Sequence, residues 1–219
     1  MKKLKAFALE AMLFDAFLFD MDGTILDSRA ASDRVWGGWA RDNGIPTPPY
    51  HGRRVQDTMA DLRHTGIDPL RAAAEIEARE LEDLDGVTAI PGAADFLSFL
   101  PPERWAVVTS APRALALRRI GAAGLRMPRN LIAAEDVKRG KPSPDPFLAG
   151  AQLLSFAPSR CLVFEDADAG IRSGEAAGCS VLVIMETETA TLVDRPSITN
   201  YRSISAVSVA DGLSVRFSG

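Results

Sequence analysis

The chain has 219 residues, enough for one α/β domain with a modest insertion and a sizeable buried core. Its formal net charge of −4 and pI near 5.3 exclude the basic surface that nucleic-acid binding requires. No apolar run reaches the ~18 residues of a membrane span, so neither a nucleic acid nor a membrane is an expected partner.

At the N-terminus, MKKLK followed by apolar residues imitates a secretion signal. Glu10, Asp15 and Asp20 interrupt the apolar stretch and no small-residue cleavage site follows, so a cytoplasmic protein is expected. Residues 1–14 read as an extension ahead of the first strand, either a short helix or disordered chain. Cys161 and Cys179, each beside an apolar run, read as core thiols in a reducing compartment.

Apolar runs at 16–19, 105–109, 131–134, 161–164 and 181–185 alternate with helix-like stretches. Such unbroken short runs suit strands covered on both faces. The expected fold class is therefore α/β, a doubly wound, mostly parallel sheet. The long gap between the first two runs breaks the regular spacing. Residues 30–89 carry a helical pattern over 69–84 and turns at Asn43-Gly44 and Pro48-Pro49. They read as an inserted helical cap, leaving 1–29 and 90–219 as the core. Within the cap, Trp36 and Trp39 fall three apart, the spacing of a buried helix face, while His64 lies in a polar stretch and reads as surface. Ile90-Pro91-Gly92 marks the return to the core, and a helix over 93–100 ends at Pro101-Pro102. Segments 204–209 and 213–217 alternate apolar with polar residues around Ala210-Asp211-Gly212, the pattern of a terminal hairpin.

The chemistry gathers at the ends of these runs. The first ends in Asp20-Met21-Asp22-Gly23-Thr24. Ligands of α/β sheets bind at the carboxyl ends of strands. Two carboxylates two residues apart project to one side of an extended chain, and Gly23 permits a tight turn beyond them. Such a pair suits a hard divalent cation, typically Mg²⁺. Alone, an Asp-x-Asp is equally the sequence of a solvated turn. The other strand ends decide between the two. The second run leads to Thr109 and Ser110, hydroxyls able to donate to a phosphate oxygen. Beyond the third comes Lys138-Arg139-Gly140-Lys141-Pro142, in which Lys141 can neutralise a phosphoryl group and Lys138 and Arg139 solvate the loop. The fourth ends in Glu165-Asp166, a second acidic pair for the metal.

The Asp20–Thr24 segment, the hydroxyl after the second strand, Gly-Lys-Pro-Ser-Pro-Asp-Pro from Gly140 and Glu-Asp-Ala-Asp-Ala-Gly from Glu165 resemble, in order, the four motifs of the haloacid dehalogenase superfamily. The match spans about Phe17 to Met185. His51-Gly52-Arg53-Arg54, Ile90-Pro91-Gly92 and Ala134-Glu135-Asp136-Val137-Lys138 resemble its sugar-phosphate and polyol-phosphate phosphatase branch, which includes bacterial hexose and hexitol phosphatases and 2-deoxyglucose-6-phosphate phosphatases.

The resemblance implies a role for each position. Asp20 would be the nucleophile that forms an aspartyl-phosphate. Asp22 would protonate the leaving alkoxide and then deprotonate the attacking water, so it must carry a proton in the first step while Asp20 stays ionised. Asp20, the backbone carbonyl of Asp22 and Asp166 would hold Mg²⁺, with Glu165 either a direct ligand or the holder of a metal-bound water. Thr109 and Lys141 would bind the transferring phosphoryl oxygens, supported by Ser110. The loop of His51, Gly52, Arg53 and Arg54 would close over the substrate. Ser28 would either cap the following helix or touch the substrate. Asp22 favours phosphate monoesters, because dehalogenases of the superfamily lack that second aspartate. Ala167 and Ala111-Pro112 depart from the family pattern. The implied activity is hydrolysis of a small sugar or polyol phosphate. The alternatives are a phosphosugar mutase sharing the same intermediate and a non-catalytic binding protein on this scaffold.

Overall fold

The computed structural model describes residues 9–185, 195–209 and 211–218. Six strands form one parallel sheet. They are β1 (Ala16–Phe19), β4 (Trp105–Val108), β5 (Leu131–Ile132), β6 (Cys161–Glu165), β7 (Ser180–Ile184) and β8 (Ser197–Ile198). Their spatial order is β5-β4-β1-β6-β7-β8, with β1 central and in register as Phe17↔Trp105 and Phe17↔Leu162. This is the expected doubly wound α/β fold.

The apolar runs lack polar alternation because both faces are covered. Phe17, Phe19, Trp105, Val107, Leu162 and Phe164 pack on one side with α4 (Ala93–Ser98) and α5 (Arg113–Ala122). Ala16, Leu18, Ala106, Val108, Cys161 and Val163 pack on the other with α6 (Asp145–Leu153) and α7 (Asp168–Ala176). Aromatic contacts tie the first layer together: Phe19 and Phe164 stack at 4.4 Å between ring centroids. Cys161 and Cys179 are buried free thiols in the second layer, as expected.

The third apolar run is cut short as a strand, and one further strand joins the sheet. β5 ends at Ile132 because Ala134–Asp136 turns into a 3₁₀ helix, with the Asp136 carboxylate accepting from the Ala133 N–H at 2.8 Å. β8 escapes sequence patterning because it is only two residues long. Its neighbour Pro196 accepts from the Val183 N–H at 2.9 Å.

Between β2 (Leu26–Asp27) and β3 (Thr88–Ala89) run three helices, α1 (Arg29–Asp42), α2 (Val55–Asp61) and α3 (Pro69–Glu82). They share an apolar core of their own, centred on Trp36, Trp39, Met59 and Ile76. Trp36 stacks on Tyr50 at 4.6 Å. The start of α3 is fixed by Asp68, whose carboxylate accepts from the Leu70 N–H, and by Pro69 in the first turn. His64 is exposed. The insert enters and leaves through an antiparallel ladder, Leu26↔Ala89 and Asp27↔Thr88.

The expected terminal hairpin is present as β9 (Ile204–Val209) and β10 (Gly212–Phe217), with Ala210 outside the described residues. Phe14 and Leu213 exchange two backbone bonds, and Glu10 accepts from the Phe217 N–H at 2.7 Å. The N-terminal extension thus docks on the hairpin from Leu9 onward, and residues 1–8 lie outside the described residues. No described helix is long and apolar enough to cross a membrane.

Candidate active site

Four strand ends deliver their polar residues to one rim of the sheet. Asp20 follows β1 and is almost fully buried, its N–H donating to the Phe164 carbonyl. Thr109 follows β4 and its N–H donates to the Ile132 carbonyl. Glu165 and Asp166 close β6. Lys141 comes from the loop after β5 and lies 2% exposed over the Phe147 ring. Its ammonium donates to Asp20 Oδ1 at 2.5 Å and to Glu165 Oε1 at 2.7 Å.

Oxygens of Asp20, Glu165 and Asp166 lie within 4.8 Å of one another. With all three carboxylates ionised, one ammonium leaves two negative charges in this cluster, the charge a divalent cation would balance. Gly23 makes room for the Asp166 carboxylate. Its φ is +85°, and an added Cβ would fall 2.0 Å from Asp166 Oδ2. Glu165 Oε2 is already engaged by the N–H groups of Asp166 and Ala167 at 2.8 and 2.9 Å. Burial pushes the Asp20 carboxyl up to about 7, although Lys141 pulls in the opposite direction. Burial also works against the Lys141 ammonium, but Asp20 and Glu165 outweigh it and hold its pKa above the ordinary lysine range.

A cavity of about 280 Å³ opens above this cluster, between the sheet rim and the insert. Asp20, Asp22, Thr109, Ser110 and Asp166 line it from the core. His51, Gly52 and Arg53 line it from the insert.

A family model for haloacid dehalogenase-like hydrolases matches residues 14–178. The chain belongs to the haloacid dehalogenase-like hydrolases. Hexitol phosphatase A of Escherichia coli is 44% identical over 179 residues, covering 77% of this hydrolase and 82% of the relative. Glycerol-1-phosphate phosphohydrolase 2 of Saccharomyces cerevisiae is 34% identical, covering 79% and 75%. A hydrolase structure from Pseudomonas syringae superposes with a TM-score of 0.73 at 24% identity, over 84% of this chain and 91% of that one, a likeness of fold.

Not every expected residue of this hydrolase reaches the cavity. Arg54 is not among the cavity-lining residues. Its guanidinium pairs with Asp57 at 2.7 Å and donates to the carbonyls of Val137 and Lys138, so it clamps the insert to the loop before Lys141. Arg53 lines the cavity but is tied to Asp61 at 2.7 Å. His51 rests against Tyr50. Ser110 donates to the Gly52 carbonyl at 3.0 Å, a second bridge between core and insert. Thr109 Oγ1 accepts from the Ala111 N–H, which leaves its hydroxyl proton for another acceptor. Ser28 makes no helix-capping bond; its hydroxyl donates to Asp22 Oδ1 at 2.6 Å. Lys138 and Arg139 are exposed, and Arg139 pairs with Asp145. The departure at Ala167 has a partner: a Cβ on Gly52 would fall 2.7 Å from the Ala167 methyl, so two small residues let insert and core loops touch.

Several cavity residues were not anticipated, three of them polar and buried. Arg119 of α5, Glu80 of α3 and Ser32 of α1 line it and are buried. Arg119 shares the buried face of α5 with Leu115, Ala116 and Ile120, so a charge on an apolar helix face was the available signal. Glu80 gave none, standing in the charged run Arg-Glu-Leu-Glu-Asp-Leu from Arg79.

Proposed function

We propose that this hydrolase is a Mg²⁺-dependent phosphatase that hydrolyses a small sugar or polyol phosphate through an aspartyl-phosphate on Asp20. The observation that carries the reading is Asp20 itself. It is a buried carboxylate at the floor of the cavity, bonded to Lys141 and clustered with Glu165 and Asp166. The named activities of relatives at 34–44% identity support the sugar or polyol class. A cavity of about 280 Å³ suits a small ester.

Asp20, Asp166 and the Asp22 carbonyl would hold the cation, which when bound supplies positive charge against the phosphoryl oxygens. Both oxygens of Glu165 already have donors, which favours it as the holder of Lys141 and of a metal-bound water over direct ligation. Asp20 attacks phosphorus and the ester P–O bond breaks. Asp22 gives its proton to the departing alkoxide. It then takes a proton from the water that attacks the aspartyl-phosphate, releasing inorganic phosphate and restoring Asp20. Thr109 would bind the phosphoryl oxygens from the cavity wall, while Lys141, buried beneath Asp20 and bonded to it, would balance their charge, and positioning with charge neutralisation supplies most of the catalysis. Residues 30–89 act as a cap that selects the ester and excludes water, with His51, Gly52 and Arg53 at its contact loop. Two buried thiols suit the reducing cytoplasm.

The test is phosphate release from a panel of sugar, polyol and nucleotide monophosphates, with and without Mg²⁺ and with no bisphosphate activator. Release from polyol or sugar phosphates that needs Mg²⁺ and disappears in Asp20→Asn is expected. Undiminished release by Asp20→Asn would overturn the assignment, and strict dependence on a bisphosphate would make the protein a mutase.

A further inference from the structure

Arg119 stands on a core helix, yet its guanidinium serves two parts of the molecule. Nη1 donates to Asp22 Oδ1 at 3.0 Å. Nη2 donates to Ser32 Oγ at 2.9 Å and to Glu80 Oε1 at 3.1 Å, on two helices of the cap. Glu80 also accepts from the Trp36 indole N–H at 3.3 Å, inside the cap's own core. The arginine is 3% exposed, so its charge depends on these partners and not on water.

Asp22 Oδ1 receives two donors, Arg119 Nη1 and Ser28 Oγ. A carboxyl group that takes a proton on one oxygen keeps the other as an acceptor. The two bonds to Oδ1 therefore leave Oδ2 as the oxygen that exchanges the proton. Withdrawing the cap would strip Nη2 of Ser32 and Glu80 and open the guanidinium to water, which then competes with Asp22 for its donors.

We propose that Arg119 is a positioning residue, fixing Asp22 for proton transfer only while the cap rests on the core. The inference builds on the phosphatase reading, because the aim of Asp22 matters only if it moves protons. Its signature is selectivity between leaving groups. An alkoxide needs a proton as it departs, whereas p-nitrophenolate does not. The ratio kcat/KM covers only the steps up to the first irreversible transfer, so it isolates the acid role of Asp22.

The experiment compares glycerol 1-phosphate with p-nitrophenyl phosphate for wild type, Arg119→Gln, Arg119→Lys and Glu80→Gln. General acid catalysis contributes about 10²–10⁴-fold. Arg119→Gln is expected to lower kcat/KM for the alkyl ester by about 10²-fold and for the aryl ester by less than about threefold. Lysine, a point charge without the fork, restores part of the loss. Glu80→Gln gives the same selective loss to a smaller degree. Equal losses on both esters, or none, would overturn the proposal. The lysine and glutamine variants decide the matter if Arg119→Gln does not fold. Should wild type release phosphate from neither ester, the phosphatase reading fails separately. The tie is then judged from the Trp36 indole N–H resonance, one of three such signals in the chain. It should shift and exchange faster in Arg119→Lys, and an unchanged signal would overturn the tie.

Discussion

Replacing Lys141 with methionine tests the electrostatic centre of the site. Methionine approximates the length of lysine and keeps a favourable contact with the Phe147 ring, which lies 4.9 Å from the ammonium. What disappears is the charge and its donors to Asp20 and Glu165. Hydrogen bonds to charged groups contribute about 1.5–3 kcal/mol each, and breaking a buried ion pair from one side costs about 3–5 kcal/mol. Asp20 can soften the loss by taking a proton, since Lys141 is what holds its carboxyl down against burial. The expected destabilisation is therefore about 3–5 kcal/mol at pH 8 in EDTA and clearly less at pH 5. Urea unfolding followed by tryptophan fluorescence measures both. Turnover should fall by about 10²–10³-fold, the usual consequence of deleting one preorganised donor to a transition-state oxygen. A loss below about 1 kcal/mol, equal at both pH values, would refute the account of Lys141 as the neutraliser of the carboxylate cluster.

Three further outcomes are expected. In metal-free protein the Asp20 carboxyl sits at about 7 against an ordinary 3.8, so the folded chain keeps a proton that the unfolded chain has lost. The stability from this group is complete below pH 4 and disappears as pH rises through 7; the urea midpoint in EDTA should drop between pH 5 and 8, and Asp20→Asn should remove most of that drop. Gly52→Ala forces a Cβ to 2.7 Å from the Ala167 methyl at a φ of +71°, a change expected to cost about 1–3 kcal/mol. Adding Ala167→Gly should recover part of the lost melting temperature, and no recovery would show that the two loops do not touch. Burial pushes the Cys161 and Cys179 thiols up to about 11 and about 12, so a disulfide reagent at pH 8 should label neither until the protein unfolds.

The sheet was legible because each buried strand is an unbroken apolar run ending in a polar residue: Phe19 before Asp20, Phe164 before Glu165. The same runs fixed where Thr109, Lys141 and Asp166 would gather. Contacts made across long sequence separations were not legible. Arg54 sits in a plausible substrate loop, but only folding reveals that its donors are taken by Asp57 and the carbonyls of Val137 and Lys138. The link from Asp22 through Arg119 to Glu80 joins three distant segments, and no local pattern relates them. β8 was missed for a simpler reason, since two residues carry no periodicity.

The ladder that pairs Leu26 with Ala89 and Asp27 with Thr88 has a topological consequence. It brings the start and finish of the helical insert to within one strand spacing, roughly 5 Å. To the rest of the molecule, residues 28–87 are a loop whose two ends already meet. Such a segment can be lengthened, shortened or exchanged for another while the sheet keeps its register, because loop-closure entropy grows only slowly with length. The ladder is thus a splice point, at which a different insert could be joined to an unchanged sheet rim.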